Sequence, residues 1–211
     1  QSSTRSHGRP TTFVEFLQYV QIEDANRGTI PMELWPHLLE RAQSWQSGVS
    51  EIVLKARQIG VSWLLAAYAL WRAMYQRGAT VLELSAGQAE AYELLGKSRS
   101  IWEGLPDALR APTAVDAAGE LSFLGGGRIM ALPATQKAGR GYTASLVIPD
   151  EAAFHPWAAA NYGAYKPTLD GGGQLLMVST ANGASGFFHD MWRASERGET
   201  PYGAVFLPWN V

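Results

Sequence analysis

The chain has 211 residues, 46% hydrophobic with eight Trp, enough to bury one substantial core. Its formal net charge of −2 excludes a whole-chain electrostatic case for nucleic acid, so any DNA contact rests on a local patch or on several copies acting together. The lack of cysteine excludes disulfides and cysteine-based metal sites; His7, His37, His155 and His189 show no ligand spacing, and no apolar run reaches the ~18 residues of a membrane helix.

Residues 1–12 are polar, lack the apolar core of a secretory signal and read as a disordered tail. Residues 13–22 carry apolar side chains at helical spacing and predict a short amphipathic helix. Asn26-Arg27-Gly28 is a turn, and residues 32–45 predict a second helix with Pro31 and Pro36 near its start. Ile52, Val53 and Leu54 then form an apolar run of buried-strand length. A polar turn follows, and from Ser62 onward Trp63, Leu64, Ala67, Tyr68, Leu70, Trp71 and Met74 recur at helical spacing up to about Arg77.

A strand, a tight polar loop and a helix opening on Ser make the layout of a phosphate-binding P-loop. The pattern G-x-x-x-x-G-K-[ST] lies over 55–62, with Gly60 and Ser62 in place, but Lys55 at the first Gly and Val61 at the Lys. The backbone N–H groups of Ala56, Arg57, Gln58, Ile59, Gly60 and Val61, with the helix start at Ser62 and Trp63, can still face an anion. The Ser62 hydroxyl can meet magnesium, and Lys55 or Arg57 can supply the missing cation. The blander reading is an ordinary strand–turn–helix with surface charges.

Residues 80–85 predict a second strand and 88–102 a helix, so the rhythm argues a mainly parallel sheet flanked by helices. Residues 105–118, with Pro106 and Pro112, read as irregular. Gly125-Gly126-Gly127 between residues 120–124 and 128–132 reads as an inserted β-hairpin. A glycine-bearing loop over 134–144 leads to a third strand, 145–148, and residues 154–165 read as helical or irregular. Residues 174–179 and 203–207 predict further strands, with a helix over 187–196 between them. One α/β domain over 13–211 accounts for the whole pattern.

The strand Leu146-Val147-Ile148-Pro149 stops on Asp150-Glu151. In P-loop enzymes one acid at a strand's C-terminal end holds magnesium and a second polarises the attacking water. Met177-Val178-Ser179-Thr180-Ala181-Asn182 ends a strand in small polar groups that can sense a γ-phosphate, though the same residues are common turn formers. Arg140, between Gly139 and Gly141, sits on pliant backbone from which a guanidinium can reach a phosphate in its own subunit or a neighbour's, the alternative being a solvated loop arginine. Lys97, Arg99, Arg110 and Arg128 are the candidate DNA-phosphate contacts, each of which an ordinary solvated charge would also explain.

Across about residues 30–211, four stretches together resemble the ATPase domain of the large terminase subunit, the DNA-packaging motor of tailed bacteriophages. They are Lys55-Ala-Arg-Gln-Ile-Gly-Val-Ser62, Val147-Ile-Pro-Asp-Glu151, Gly139-Arg140-Gly141 and Ser179-Thr180-Ala181-Asn182. The resemblance implies an additional-strand, RecA-like ATPase fold that takes ATP and Mg2+. It implies duplex DNA, a portal protein and a small terminase subunit as partners, in a ring commonly of five subunits. Such a motor works in the host cytoplasm, transiently docked on the procapsid. It assigns Lys55, Gln58, Gly60 and Ser62 to phosphate and metal, Asp150 to magnesium and Glu151 to water activation. Ser179, Thr180 and Asn182 would couple hydrolysis to movement, and Arg140 would act as an arginine finger, across the subunit boundary. Departures are Val61 at the usual lysine, and Leu34-Trp35-Pro36-His37 without a following glutamine, Gln43 being the nearest amide. Nothing after Asn182 offers the three spaced carboxylates of a nuclease, so Phe206-Leu-Pro-Trp209 looks like the start of a link to a further domain. The rival readings are another nucleic-acid-stimulated P-loop ATPase and a nucleotide-binding assembly module that hydrolyses poorly.

Overall fold

Six strands lie parallel in the central sheet, and four consecutive ones are buried on both faces, which only a sheet covered on both sides can satisfy. The structure, a computed structural model, describes residues 9–210. In chain order the elements are α1 (Phe13–Leu17), β1 (Gln21–Asp24), β2 (Gly28–Pro31), α2 (Pro36–Gln46), β3 (Glu51–Lys55), α3 (Val61–Tyr75), β4 (Thr80–Ser85) and α4 (Gln88–Gly104). There follow β5 (Thr113–Ala117), β6 (Glu120–Phe123), β7 (Arg128–Pro133), β8 (Leu146–Pro149), α5 (Ala158–Asp170), β9 (Gln174–Ser179), α6 (Phe187–Glu196) and β10 (Gly203–Leu207). The main sheet runs β10-β3-β9-β8-β4-β7-β6-β5, parallel from β10 to β7 and antiparallel beyond. β9 therefore stands between β3 and β8, the additional-strand arrangement.

Alternation along each strand feeds two cores. Val53, Val81, Ile148 and Val178 face α3 and α4, while Ile52, Leu82, Val147 and Met177 face α5 and α6 with Tyr165 and Phe188. α3 is buried almost from end to end.

At the N-terminal pole of the sheet, polar groups are buried and satisfied. The Glu51 carboxylate accepts from Arg41 (2.5 Å), Ser44 (2.6 Å) and the Trp45 indole (2.8 Å), all on α2. Gln174, first in β9, accepts from Tyr68 and Arg72 and donates to the Trp45 and Val49 carbonyls. These bonds tie α2 and α3 to the starts of β3 and β9.

Several boundaries differ from the sequence expectation. The helix over 13–22 stops at Leu17, and Gln21–Asp24 pairs with Gly28–Pro31 as a separate two-stranded hairpin. The second helix starts at Pro36, whose fixed φ and missing N–H suit a first turn. The stretch read as irregular contains the exposed edge strand β5. The expected hairpin insertion forms, but as part of the main sheet: β7 pairs with β6 on one side and runs parallel to β4 on the other. Gly127 permits this, since a Cβ there would sit 1.9 Å from the Ala73 carbonyl oxygen at the end of α3. Of the tail expected over 1–12, residues 1–8 lie outside the described residues; Thr12 caps α1 in a capping box with Glu15.

Candidate active site

The loop after β3 is shaped by two left-handed residues. Gln58 has φ 59° and Gly60 φ 81°, and Gly60 caps α3 with no side chain bonded to the helix start. A Cβ at Gly60 would also lie 3.0 Å from Leu38, so only glycine fits. His37 on α2 props the loop by donating to the Ile59 carbonyl at 2.8 Å. The Ala56 N–H is fixed by the Leu207 carbonyl of β10 (2.8 Å). The first N–H groups of α3 are left facing outward for an anion. Val61 is buried in the core, so the cation cannot come from that position.

A cation does stand at the end of β3. The Lys55 ammonium lies 2.9 Å from a Glu151 carboxylate oxygen. β8 ends at Pro149, Asp150 donates its N–H to the Leu84 carbonyl, and Glu151 takes a left-handed conformation (φ 49°, ψ 43°). That turn aims the carboxylate back across the sheet, at a strain cost of about 1–3 kcal/mol. Its second oxygen accepts from the Thr180 N–H and hydroxyl, both at 3.0 Å, with the Ser179 hydroxyl at 3.4 Å. Ser179 also accepts from the Ala153 N–H, and Asn182 donates to the Ala153 carbonyl, so Asn182 supports the turn after Glu151 and not the carboxylate itself. Strands β3, β9 and β8 thus each end on one member of a single constellation.

A cavity of about 210 Å³ is lined by Ser62, Ser85, Glu90, Lys97, Asp150 and Glu151, among others. The residues expected to share a metal do face one space. Desolvation and the neighbouring Glu151 push Asp150 up to about 6. Desolvation also raises Glu151, but the Thr180 N–H and the Lys55 ammonium outweigh it and hold the carboxylate below its usual range. Among the described residues no group of three His, Asp or Glu side chains could cage a metal alone. A hydroxyl and a carboxylate on one cavity fit magnesium, which takes few protein oxygens and keeps phosphate and water in its shell.

A second cavity, about 360 Å³, adjoins the loop and is lined by Ile30, Met32, Trp35, Leu38, Gln58 and Trp63, with further hairpin residues. Sequence reasoning missed it because the β1–β2 hairpin builds one wall. Gln43 is exposed on α2 and does not line it. Arg57 is exposed beside the loop. Arg140 is exposed on the 134–144 loop, which Asn161 and Thr168 of α5 tie down, and it lines neither cavity.

Glu83 also went unrecognised. It is fully buried in β4, on the same strand face as Ser85, and neither carboxylate oxygen has a partner among the described residues. Desolvation, with Asp150 adding to it, pushes Glu83 up to about 8. Its signal was an acid inside an otherwise apolar strand. The four cations proposed for DNA do not form one surface set: Lys97 lines the cavity beside Ser62 and pairs with Glu93, Arg99 pairs with Asp116, and Arg128 bonds Thr80.

A family model described as terminase large subunit, T4-like virus type, N-terminal, matches residues 52–210. Among solved structures, the chain is similar to the large terminase ATPase domain of Thermus phage P74-26 (19% identity, TM-score 0.71, covering 95% of this chain and 86% of that one). It is also similar to the large terminase of bacteriophage HK97 (16% identity, TM-score 0.74, covering 92% of this chain and 43% of that one). The large terminase of a thermophilic bacteriophage, solved in complex with ATP-gamma-S, matches at 13% identity and TM-score 0.57, covering 82% of this chain and 44% of that one. The chain therefore spans less than half of each of these last two proteins.

Proposed function

The chain belongs to the N-terminal family of terminase large subunits, and from that membership and the site geometry we propose that it is an ATP-hydrolysing motor domain that drives duplex DNA into a procapsid. The observation that carries this is the convergence of Lys55, Thr180 and Glu151 from three adjacent strands beside a cavity that Ser62 and Asp150 also line.

The loop 55–62 cradles the phosphates with backbone N–H groups, and the cavity beside Trp35 and Trp63 seats the base between apolar walls. Ser62 and Asp150 would hold Mg2+, which would supply neutralisation of phosphate charge. Lys55 replaces the loop lysine that Val61 lacks. An incoming triphosphate competes with Glu151 for that ammonium. Once released, the Glu151 carboxylate, already held in its charged form, is free to accept a proton from the attacking water. Thr180 and Ser179, which touch the same carboxylate, report its rearrangement along β9. Arg140, exposed and lining neither cavity of its own chain, serves a neighbouring subunit in a ring. The partners in this reading are duplex DNA, a portal protein and a small terminase subunit, and the setting is the host cytoplasm at the procapsid.

The test is phosphate release from ATP. Glu151→Gln and Lys55→Ala should each cut turnover at least about a hundredfold in folded protein; turnover matching the parent in both would overturn the enzymatic reading. The mutual neutralisation of Lys55 and Glu151 also favours a poorly hydrolysing binding module, for which nucleotide would bind tightly with no release in any variant. Mixing inactive Arg140→Ala and Glu151→Gln proteins at assembly concentrations should restore part of the activity; no recovery would place Arg140 outside the chemistry.

A further inference from the structure

A larger cavity, about 620 Å³, opens at the opposite pole, beyond the C-terminal end of α3. α3 begins at the phosphate loop and is 15 residues long, so the two openings are separated by roughly 22 Å of helix. Arg9, Arg77 and Arg110 all line this second opening. They come from three separate segments: the approach to α1, the turn after α3 and the loop after α4.

Two of the guanidiniums are set in place by aromatic rings. Arg9 lies over Tyr75 at 4.4 Å and donates to the Met74 carbonyl. Arg110 lies over Trp102 at 5.6 Å and donates to the Glu103 carbonyl. Stacking on a ring reduces the rotamer freedom lost on binding; Arg9 keeps one terminal nitrogen without a protein partner among the described residues, while both of Arg110's are engaged, one by the Glu103 carbonyl and one by the exposed Asp107 carboxylate. Arg77 is exposed and has no hydrogen bond or ion pair among the described residues. The counter-charge nearby is Asp107, paired with Arg110, and its side chain is 91% exposed, so an incoming anion displaces it at little cost. In a chain of net charge −2, three converging arginines are a local concentration of positive charge. The walls between them, Leu109, Pro112 and Leu124, are apolar and offer no groups to read bases.

We propose that this arginine-lined cavity is a phosphate-backbone site for duplex DNA, taking two or three successive phosphodiesters without reading sequence. The choice of duplex as the source of the phosphates rests on the packaging function proposed above. The site itself rests on the three arginines. Its distance from the loop leaves ATP and DNA free to bind at once, with α3 joining the two.

The experiment is anisotropy of a labelled duplex of about 25 base pairs titrated with the full chain across a salt series. Each phosphate contact contributes about 0.9 to the slope of log affinity against log salt. The triple variant Arg9→Gln/Arg77→Gln/Arg110→Gln should lose a slope of about 2–3 and bind at least tenfold more weakly at low salt. The single variant Arg77→Gln, altering one exposed and unpaired side chain, should lose about 1. Arg197→Gln, an exposed arginine at the end of α6, is the control and should bind as the parent does. Basal phosphate release on the same samples should be unchanged throughout and reports folding. A parent slope in the triple and single variants, or no duplex binding by the parent, overturns the site. Inorganic triphosphate bound by the parent and not by the triple variant, with duplex indifferent, would show a small-anion site and overturn it too. Loss of basal hydrolysis in the parent with arginine-dependent DNA binding intact would sink the motor reading and leave the site standing.

Discussion

At the N-terminal end of β3, Glu51 accepts from Arg41, Ser44 and Trp45; at its C-terminal end, Lys55 donates to Glu151. Both carboxylates are fully engaged, yet they differ in who holds them. The donors to Glu51 all belong to α2, one rigid element, and the side chains are 9% and 3% exposed across the Arg41 pair. The donors to Glu151 come from two other strands, the residue carries backbone strain, and its side chain is 37% exposed on a cavity wall. Burial with donors from one body fixes a structure. Burial beside an opening, with donors from several bodies, leaves the charge exchangeable. The lesson is that hydrogen-bond count does not separate a structural acid from a working one; the independence of its partners does.

Substitutions at the two ends should therefore separate activity from stability. Glu151→Gln keeps shape and removes the proposed base, and turnover should fall by about 10²–10⁴ while the melting temperature holds or rises. A variant that loses both equally would erase the distinction. Glu51→Ala should do the reverse: it strands a buried Arg41 and should cost about 3–5 kcal/mol in urea unfolding, with the KM for ATP unchanged in protein that remains folded. A shifted KM would mean that the far pole reaches the loop.

The most gradual effect belongs to Glu83, a buried acid with no holder among the described residues. Its folded value of about 8 lies above the ordinary 4.5, so the folded state keeps a proton that the unfolded state gives up. The stability from the neutral form is complete below pH 4.5 and is lost as pH rises through about 8. The advantage of the parent over Glu83→Gln should shrink steadily between pH 5 and 8, by at most about 1.4 kcal/mol per pH unit. Parallel stability curves for the two proteins would show that Glu83 titrates normally.

Much of this was legible in the sequence where burial is two-sided. β4 and β9 run as read because a parallel strand covered on both faces is a continuous apolar run, and α6 because it is amphipathic; the half-covered edge strand β10 keeps its bounds as well. The loop 55–62 and the acids at 150–151 were legible as chemistry, and Ser62, Asp150 and Glu151 line one cavity. What was lost was marginal or non-local. β1 and β2 are four residues each and carry little apolar pattern, so the run through Ile22 passed for helix. β5 is mostly exposed and follows a proline, and only pairing with β6 makes it a strand. The base-sized cavity needs Trp35, Trp63 and the hairpin together, and the arginine site needs three segments that sequence spacing does not connect.

β9 carries a consequence of its own. Gln174 clamps its first residue to Tyr68, Arg72 and two backbone carbonyls, whereas Thr180, just past its last, is held by a carboxylate whose allegiance can change. A beam bolted at one end and latched at the other bends where the latch opens. Under the proposed function, release at Thr180 would be felt first in residues 181–186, which are exposed and lead directly into α6, while the body of the sheet would stay still.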